Sequence, residues 1–211
     1  MRWLSQNGDQ VVDLTITHLA ISLPAILASL LIAVPLGWAA HRMRSLRGPT
    51  TGLIGALYAV PSLPLLVLVP VLLGTSLRSP TNLVVVLTLY GTAVLVRSTT
   101  DAFATVPDDA RTSAKAIGYP PLRLFWGVEL PLAGPVILAG LRVVVVSTVS
   151  LVTIGSVTGI QSLGTLFTDG FQRGITSEVV TGLVLTVAVA LLLDGACLLA
   201  GRVLMPWAGT R

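Results

Sequence analysis

Long uncharged apolar runs separated by short clusters of charge set the pattern of this chain. No Asp, Glu, Lys or Arg occurs between Asp13 and Arg42, between Arg47 and Arg78, between Arg78 and Arg97, or between Arg142 and Asp169. Each run can hold a helix of about 20 residues, the length that a hydrocarbon core of roughly 30 Å requires. The runs are continuous and do not alternate, which argues against the dyad pattern of a membrane barrel. They predict an all-α, polytopic membrane protein with five spans: Leu14–Ala40, Thr51–Leu73, Asn82–Ser98, Pro135–Val157 and Val179–Met205. Residues 1–211 then form a single transmembrane domain, with one long polar loop at about 99–131 between the third and fourth spans.

Composition supports the pattern. Hydrophobic residues make up 54% and charged residues 10%, against roughly a quarter charged in an ordinary soluble domain. That balance excludes a water-soluble fold of this size, and it excludes disorder, which needs low hydrophobicity and high charge. Cys197 has no second cysteine to pair with, and together with His18 and His41 it is too scattered for a metal site. The net charge of +4 does not point to nucleic acid, because the basic residues fall at the ends of apolar runs, where they orient a membrane protein. With the N-terminus outside, Arg42, Arg44, Arg47, Arg97, Arg111, Lys115, Arg123, Arg202 and Arg211 are cytoplasmic, and the outer side holds only Arg2, Arg78 and Arg173. The chain is therefore expected to be N-out and C-in. The first apolar run is too long for a cleaved leader and has no basic segment close before it.

Three local features carry candidate chemistry. Pro61, Pro64 and Pro70 fall in the second run, and the segment Pro61-Ser62-Leu63-Pro64 should break or kink a helix. Broken backbone at membrane depth survives where it is buried in protein or lines a polar cavity, so the reading is either a simple kink or a solute pathway passing this point. Asp194 within the fifth run and Arg142 within the fourth are charges in apolar surroundings, where a partner is required. They are expected to pair, or each to meet Arg97 or a carbonyl, as a structural pin or as a gate contact. The loop from Thr99 to Leu130 is the third feature. Pro107, Asp108 and Asp109 suit a helix start, Lys115 its last turn and Gly118 its C-terminal cap. Val106, Ala110, Ala114 and Ile117 recur at helical spacing as one apolar face. After Pro120-Pro121 a second short helix presents Leu122, Phe125 and Trp126 on one side. These aromatics either pack on the protein's own spans and the lipid interface, or form a knob for a partner's groove.

Ala114-Lys115-Ala116-Ile117-Gly118, followed after nine residues by Val128-Glu129-Leu130-Pro131-Leu132, resembles the coupling loop of permease subunits in ABC importers. The Glu-Ala-Ala of that family falls on Thr112-Ser113-Ala114, so only the last Ala is kept. Asp108 and Asp109, one turn upstream, are candidates to replace the missing acid. The likeness covers nearly the whole chain and is nearest to the osmoprotectant permeases for glycine betaine, carnitine and choline. It is carried by Val60-Pro61-Ser62-Leu63-Pro64-Leu65-Leu66, Leu89-Tyr90-Gly91, Val96-Arg97-Ser98-Thr99, Val128 to Gly140 with Leu141-Arg142, Ser162-Leu163-Gly164 and Leu191-Leu192-Leu193-Asp194. Methionine importer permeases are the nearest competitor.

The resemblance implies a transport subunit and not an enzyme. Its expected partners are a separate ATPase that uses ATP and Mg, an extracytoplasmic substrate-binding protein, a second permease subunit (a copy or a paralogue) and the bilayer. No Gly-rich loop ending in Lys-Ser or Lys-Thr occurs, and the sole lysine, Lys115, follows Ala114. No cofactor is expected on this chain. A solute would meet Tyr58, Ser62 and Tyr90, flanked by Pro61 and Pro64, unless those tyrosines serve packing. The competing classes are a membrane scaffold, which leaves the capped loop unexplained, and an intramembrane enzyme, for which no His pair, His-Glu pair or Ser-Lys arrangement is present.

Overall fold

The computed structural model describes Trp3, residues 6–43 and residues 62–209. Eight α-helices are present among the described residues: α1 Gly8–Arg42, α2 Ser62–Leu73, α3 Pro80–Ala104, α4 Asp108–Ala116, α5 Pro121–Leu124, α6 Leu130–Val152, α7 Leu163–Gln172 and α8 Thr176–Leu204. A π-helical turn over Phe125–Glu129 joins α5 to α6, and a 3-10 turn over Thr153–Thr158 follows α6. Among the described residues, four helical stretches are long and apolar enough to cross a membrane: Gly8–Arg42, Pro80–Ala104, Pro121–Thr158 and Thr176–Leu204. They contain the first, third and fourth expected spans and all of the fifth but Met205. The first half of the expected second span, including Tyr58 and Pro61, lies outside the described residues. Its second half is α2. Pro64 stands in the first turn of α2, where a missing N–H costs nothing, and Pro70 is inside the helix.

Two expectations are refined. The fourth span, expected at about Pro135–Val157, lies inside the longer stretch Pro121–Thr158, in which α6 starts at Leu130 and the α-helical part ends at Val152. Pro131 is in the first turn, where its fixed φ favours a helix start. After Val152 the backbone tightens into 3-10 geometry and leaves the helix at Gly159, with φ 82°. The Gly155–Gly159 pair, which has the spacing of tight span packing, therefore lies in this turn. A side chain at Gly155 would run into Leu83 of α3. The second refinement is α7, a helix not anticipated between the fourth and fifth spans. Ser162 starts it with a capping box, its hydroxyl accepting from the Gly164 N–H at 3.1 Å while the Ser162 N–H donates to Thr165 Oγ1 at 3.1 Å.

Small residues bring the spans together. α1 and α3 form the main seam, where Thr99 Oγ1 donates to the Ala33 carbonyl and Ser29 Oγ to the Thr88 carbonyl, each at 3.1 Å. A Cβ at Gly37 would strike Thr99, and one at Gly91 would strike Ser29. Such close approach and interhelical hydrogen bonding replace the hydrophobic effect, which does not operate between helices in lipid. Outward faces stay apolar, with Leu31, Leu72, Leu192 and Val203 all exposed, as a lipid-facing surface requires. The C-terminal ends of α1, α3 and α8 and the start of α6 meet at one end of the bundle, the basal end, and α4 and α5 lie there. Residues of α7, α1 and α8 pack together through Leu163, Leu166, Leu14 and Val189 away from that end.

Candidate functional site

The basal module is built by local signals. Pro107 is the N-cap of α4, and Asp108 and Asp109 lie in its first turn, where acids favour the positive helix end. At the other end the Gly118 N–H bonds the Lys115 carbonyl at 3.0 Å and the Tyr119 N–H bonds the Ala114 carbonyl at 3.1 Å. This double bond pattern needs a left-handed residue between, and Gly118 has φ 88°. Val106 and Ala114 are buried as expected, but Ile117 is 75% exposed. It is the C-cap, outside the helical repeat, and so leaves the apolar face. Pro120 and Pro121 then start α5, which passes through the π-helical turn straight into α6. Leu130 and Pro131 are half-buried at that junction.

Arg111 is the centre of the module, and sequence reasoning did not select it. Its Nε donates to Glu129 Oε1 at 3.0 Å, and one terminal nitrogen donates to Asp108 Oδ1 at 3.0 Å and to the Val106 carbonyl at 2.9 Å. The other terminal nitrogen donates to the Phe103 carbonyl at 2.5 Å and lies 3.3 Å from His41 Nε2. Glu129, 6% exposed, accepts a second bond on Oε2 from Trp38 Nε1 at 2.8 Å. One guanidinium and one carboxylate thus join α1, the end of α3, α4 and the π-helical turn. Eighteen residues separate the ion pair, and no periodicity signals such a contact.

Phe125, Trp126 and Leu122 do not share one side. Phe125 is buried and packs edge-on against Trp38 at 5.1 Å between ring centroids, and it lies 5.9 Å from Phe103. Trp126 is 63% and Leu122 70% exposed. The wider π-helical spacing at Phe125 separates their directions. Trp126 stands on the rim of an apolar groove of about 600 Å³ lined in part by Leu30, Val34, Ile137 and Trp207. Asp109, Thr112 and Ser113 are exposed on α4, and the Asp108 carboxylate is almost fully exposed despite its bond to Arg111. The module therefore has a buried side fixed to the bundle, while Asp108, Asp109, Thr112, Ser113, Leu122 and Trp126 are exposed.

Arg142 and Asp194 form the expected pair. Arg142 Nε meets Asp194 Oδ1 at 2.6 Å and its terminal nitrogen meets Oδ2 at 2.8 Å, a two-pronged geometry that ties α6 to α8. Arg97, expected among the buried charges, is exposed. Leu95, Val96, Thr99 and Thr100 occupy the buried face of α3, which leaves Arg97 and Asp101 one turn apart on the outer one. Of the expected pathway residues, Tyr90 is half-buried in α3 and Pro64 is exposed. Tyr58 and Pro61 lie outside the described residues, and Ser62 is described only as the backbone start of α2. A second unanticipated charge is Glu178, fully buried in the first turn of α8, with Arg173 at 3.6 Å. The α8 N-terminus and Arg173 both supply positive potential there.

Residues 25–203 match the family described as binding-protein-dependent transport system inner membrane component. The choline transport system permease protein OpuBB of Bacillus subtilis is 31% identical over 206 residues, covering 98% of this chain and 94% of that protein. The glycine betaine/carnitine/choline transport system permease protein OpuCB of the same organism is 30% identical with the same coverage. Among solved structures, a chain of the inward-facing MetNI methionine ABC transporter superposes with a TM-score of 0.79. It covers 91% of this chain and 94% of its own, at 22% identity. That likeness establishes the fold.

Proposed function

The chain belongs to the family of binding-protein-dependent transport system inner membrane components, and from that premise we propose that it forms the translocation pathway of an ABC importer for a quaternary-ammonium osmoprotectant. The observation that carries this reading is the whole-length likeness to permeases named for choline, glycine betaine and carnitine. Those three solutes share a trimethylammonium group. The methionine transporter likeness is one of fold at 22% identity and does not favour methionine as the solute.

In this reading the chain is a multi-pass inner-membrane subunit with its basal end in the cytoplasm, N-terminus outside and C-terminus inside. A separate ATPase binds ATP and Mg and docks on the outer side of the basal module. Asp108, Asp109, Thr112, Ser113, Leu122 and Trp126 meet that ATPase, and Ala114, Gly118, Phe125, Leu130 and Pro131 hold the docking surface to the bundle. A second permease subunit, a copy or a paralogue, completes the pathway, and a substrate-binding protein delivers solute to the opposite end. Closure of the ATPase dimer moves the module, and the bundle alternates between inward- and outward-open arrangements by rigid-body motion. Tyr58, Ser62 and Tyr90, beside Pro61 and Pro64, line the route of the cation, and weak aromatic contact is enough for a site that must also release. The Arg142–Asp194 pair pins α6 to α8.

Calorimetry on the substrate-binding protein that works with this chain tests the solute class, with choline, glycine betaine, carnitine, proline and methionine as probes. Binding of the trimethylammonium compounds alone is expected. Binding of methionine or proline in their place contradicts the proposal.

A further inference from the structure

We propose that Arg111 and Glu129 are positioning residues that make α4, the π-helical turn and the base of α1 into one lever, so that motor motion reaches the spans. The inference rests on the importer reading above and adds the device by which the module is coupled. Three observations carry it. First, Arg111 on α4 directs most of its donors away from its own helix: to the Phe103 carbonyl in the last turn of α3, the Val106 carbonyl just after it and Glu129 in the π-helical turn, with only Asp108 on α4 itself. Second, Glu129 uses its two oxygens on two different elements, Arg111 of α4 and Trp38 of α1. Third, Glu129 ends the only π-helical turn among the described residues, which leads without a break into α6. Such turns are locally less regular and frequent at functional sites.

The physical argument concerns stiffness. A docked α4 held only by apolar contact could slide over the bundle without moving it, because such contacts have no direction. The planar guanidinium fixes both distance and angle to each acceptor. Displacement of α4 must then move Glu129, and through it Trp38 and the first turn of α6. Phe125, packed on Trp38 and Phe103, fills the space under the lever and resists compression. Arg111 is turned toward the bundle and not toward the exposed side of α4, so its effect is expected on coupling and not on docking.

The test uses the intact complex of this chain with its co-expressed ATPase and binding protein, in nanodiscs. Wild type is compared with Glu129→Gln, Arg111→Lys and Trp38→Phe. The last removes the indole donor and some ring volume but keeps an aromatic ring against Phe125. ATPase co-purification and hydrolysis without binding protein are expected to stay near wild type in all three. Stimulation of hydrolysis by the solute-loaded binding protein is expected to fall by about fivefold or more for Glu129→Gln and Arg111→Lys, and by less for Trp38→Phe. The lever is overturned if stimulation is retained in all three. It is also overturned if stimulation falls only in proportion to lost ATPase, which marks a structural role. Should Glu129→Gln fail to assemble, full stimulation in both Arg111→Lys and Trp38→Phe overturns the proposal, and reduced stimulation with normal assembly in either supports it. A wild-type chain that captures no ATPase refutes the importer reading itself, a result distinct from uncoupling in an assembled complex.

Discussion

Phe125 and Trp126 are neighbours in sequence with opposite environments, and their substitutions separate stability from coupling. Phe125→Ala removes a ring packed on Trp38 and Phe103 and is expected to cost about 3–5 kcal/mol, read as a lower melting temperature of the purified protein. Trp126→Ala removes an exposed ring. That ring meets Phe125 edge-on at 5.0 Å, so the substitution is expected to lower the melting temperature much less than Phe125→Ala while lowering ATPase co-purification or ATP-driven uptake. Equal melting losses for both would contradict the assignment of an inner and an outer face. Asp194→Asn leaves Arg142 without its carboxylate in the spans. Folded yield by size-exclusion chromatography should fall, and the double variant Arg142→Gln with Asp194→Asn should recover part of it, because two neutral amides in lipid cost less than one unpaired charge. This pair was legible in the sequence because apolar surroundings force a charge to find a partner. The Arg111–Glu129 pair was not, since a charge in a polar loop has water as an alternative and the pattern makes no demand on it.

Among the elements, the basal module was legible from its caps, and α7 was not. Pro107, Asp108, Asp109 and Gly118 each mark a boundary by a known conformational preference, and the observed helix ends where they indicate. Gly118→Ala meets no steric obstacle, so its effect isolates the left-handed backbone, which costs roughly 1–2 kcal/mol for an alanine. The expected result is a small loss of stability with a larger loss of coupled transport, since the turn aims α5 relative to α4. A variant with normal transport would show that the turn angle is not transmitted. α7 escaped notice because its apolar residues continue the fourth uncharged run, and Ser162 with Thr165 is a weaker capping signal than a Ser followed by an acid. The shift of α6 to Leu130 has the same origin: hydropathy marks the apolar stretch, whereas Pro131 and the π-helical turn decide where the helix starts.

For the whole molecule, the positions of four spans followed from charge spacing alone, because an uncharged run of that length has few other stable settings. The relation among the spans did not follow. The α1–α3 seam depends on Ser29, Gly37, Gly91 and Thr99, and small residues of that kind are common throughout the chain. Sidedness rests on the distribution of arginines. In a Cys197→Ala background, Lys115→Cys is expected to react with an impermeant maleimide only in inverted vesicles, and Arg173→Cys only in right-side-out ones. The reverse labelling would place the module on the wrong face for an ATPase. The central claim is that a separate motor acts on residues 108–131 to drive this bundle as an importer. Its most direct test is uptake of radiolabelled choline by proteoliposomes holding the chain with its co-purified ATPase and binding protein. The account predicts uptake that requires both ATP and the binding protein and that Trp126→Ala lowers. Uptake indifferent to ATP, or purification without any nucleotide-hydrolysing subunit, would contradict it.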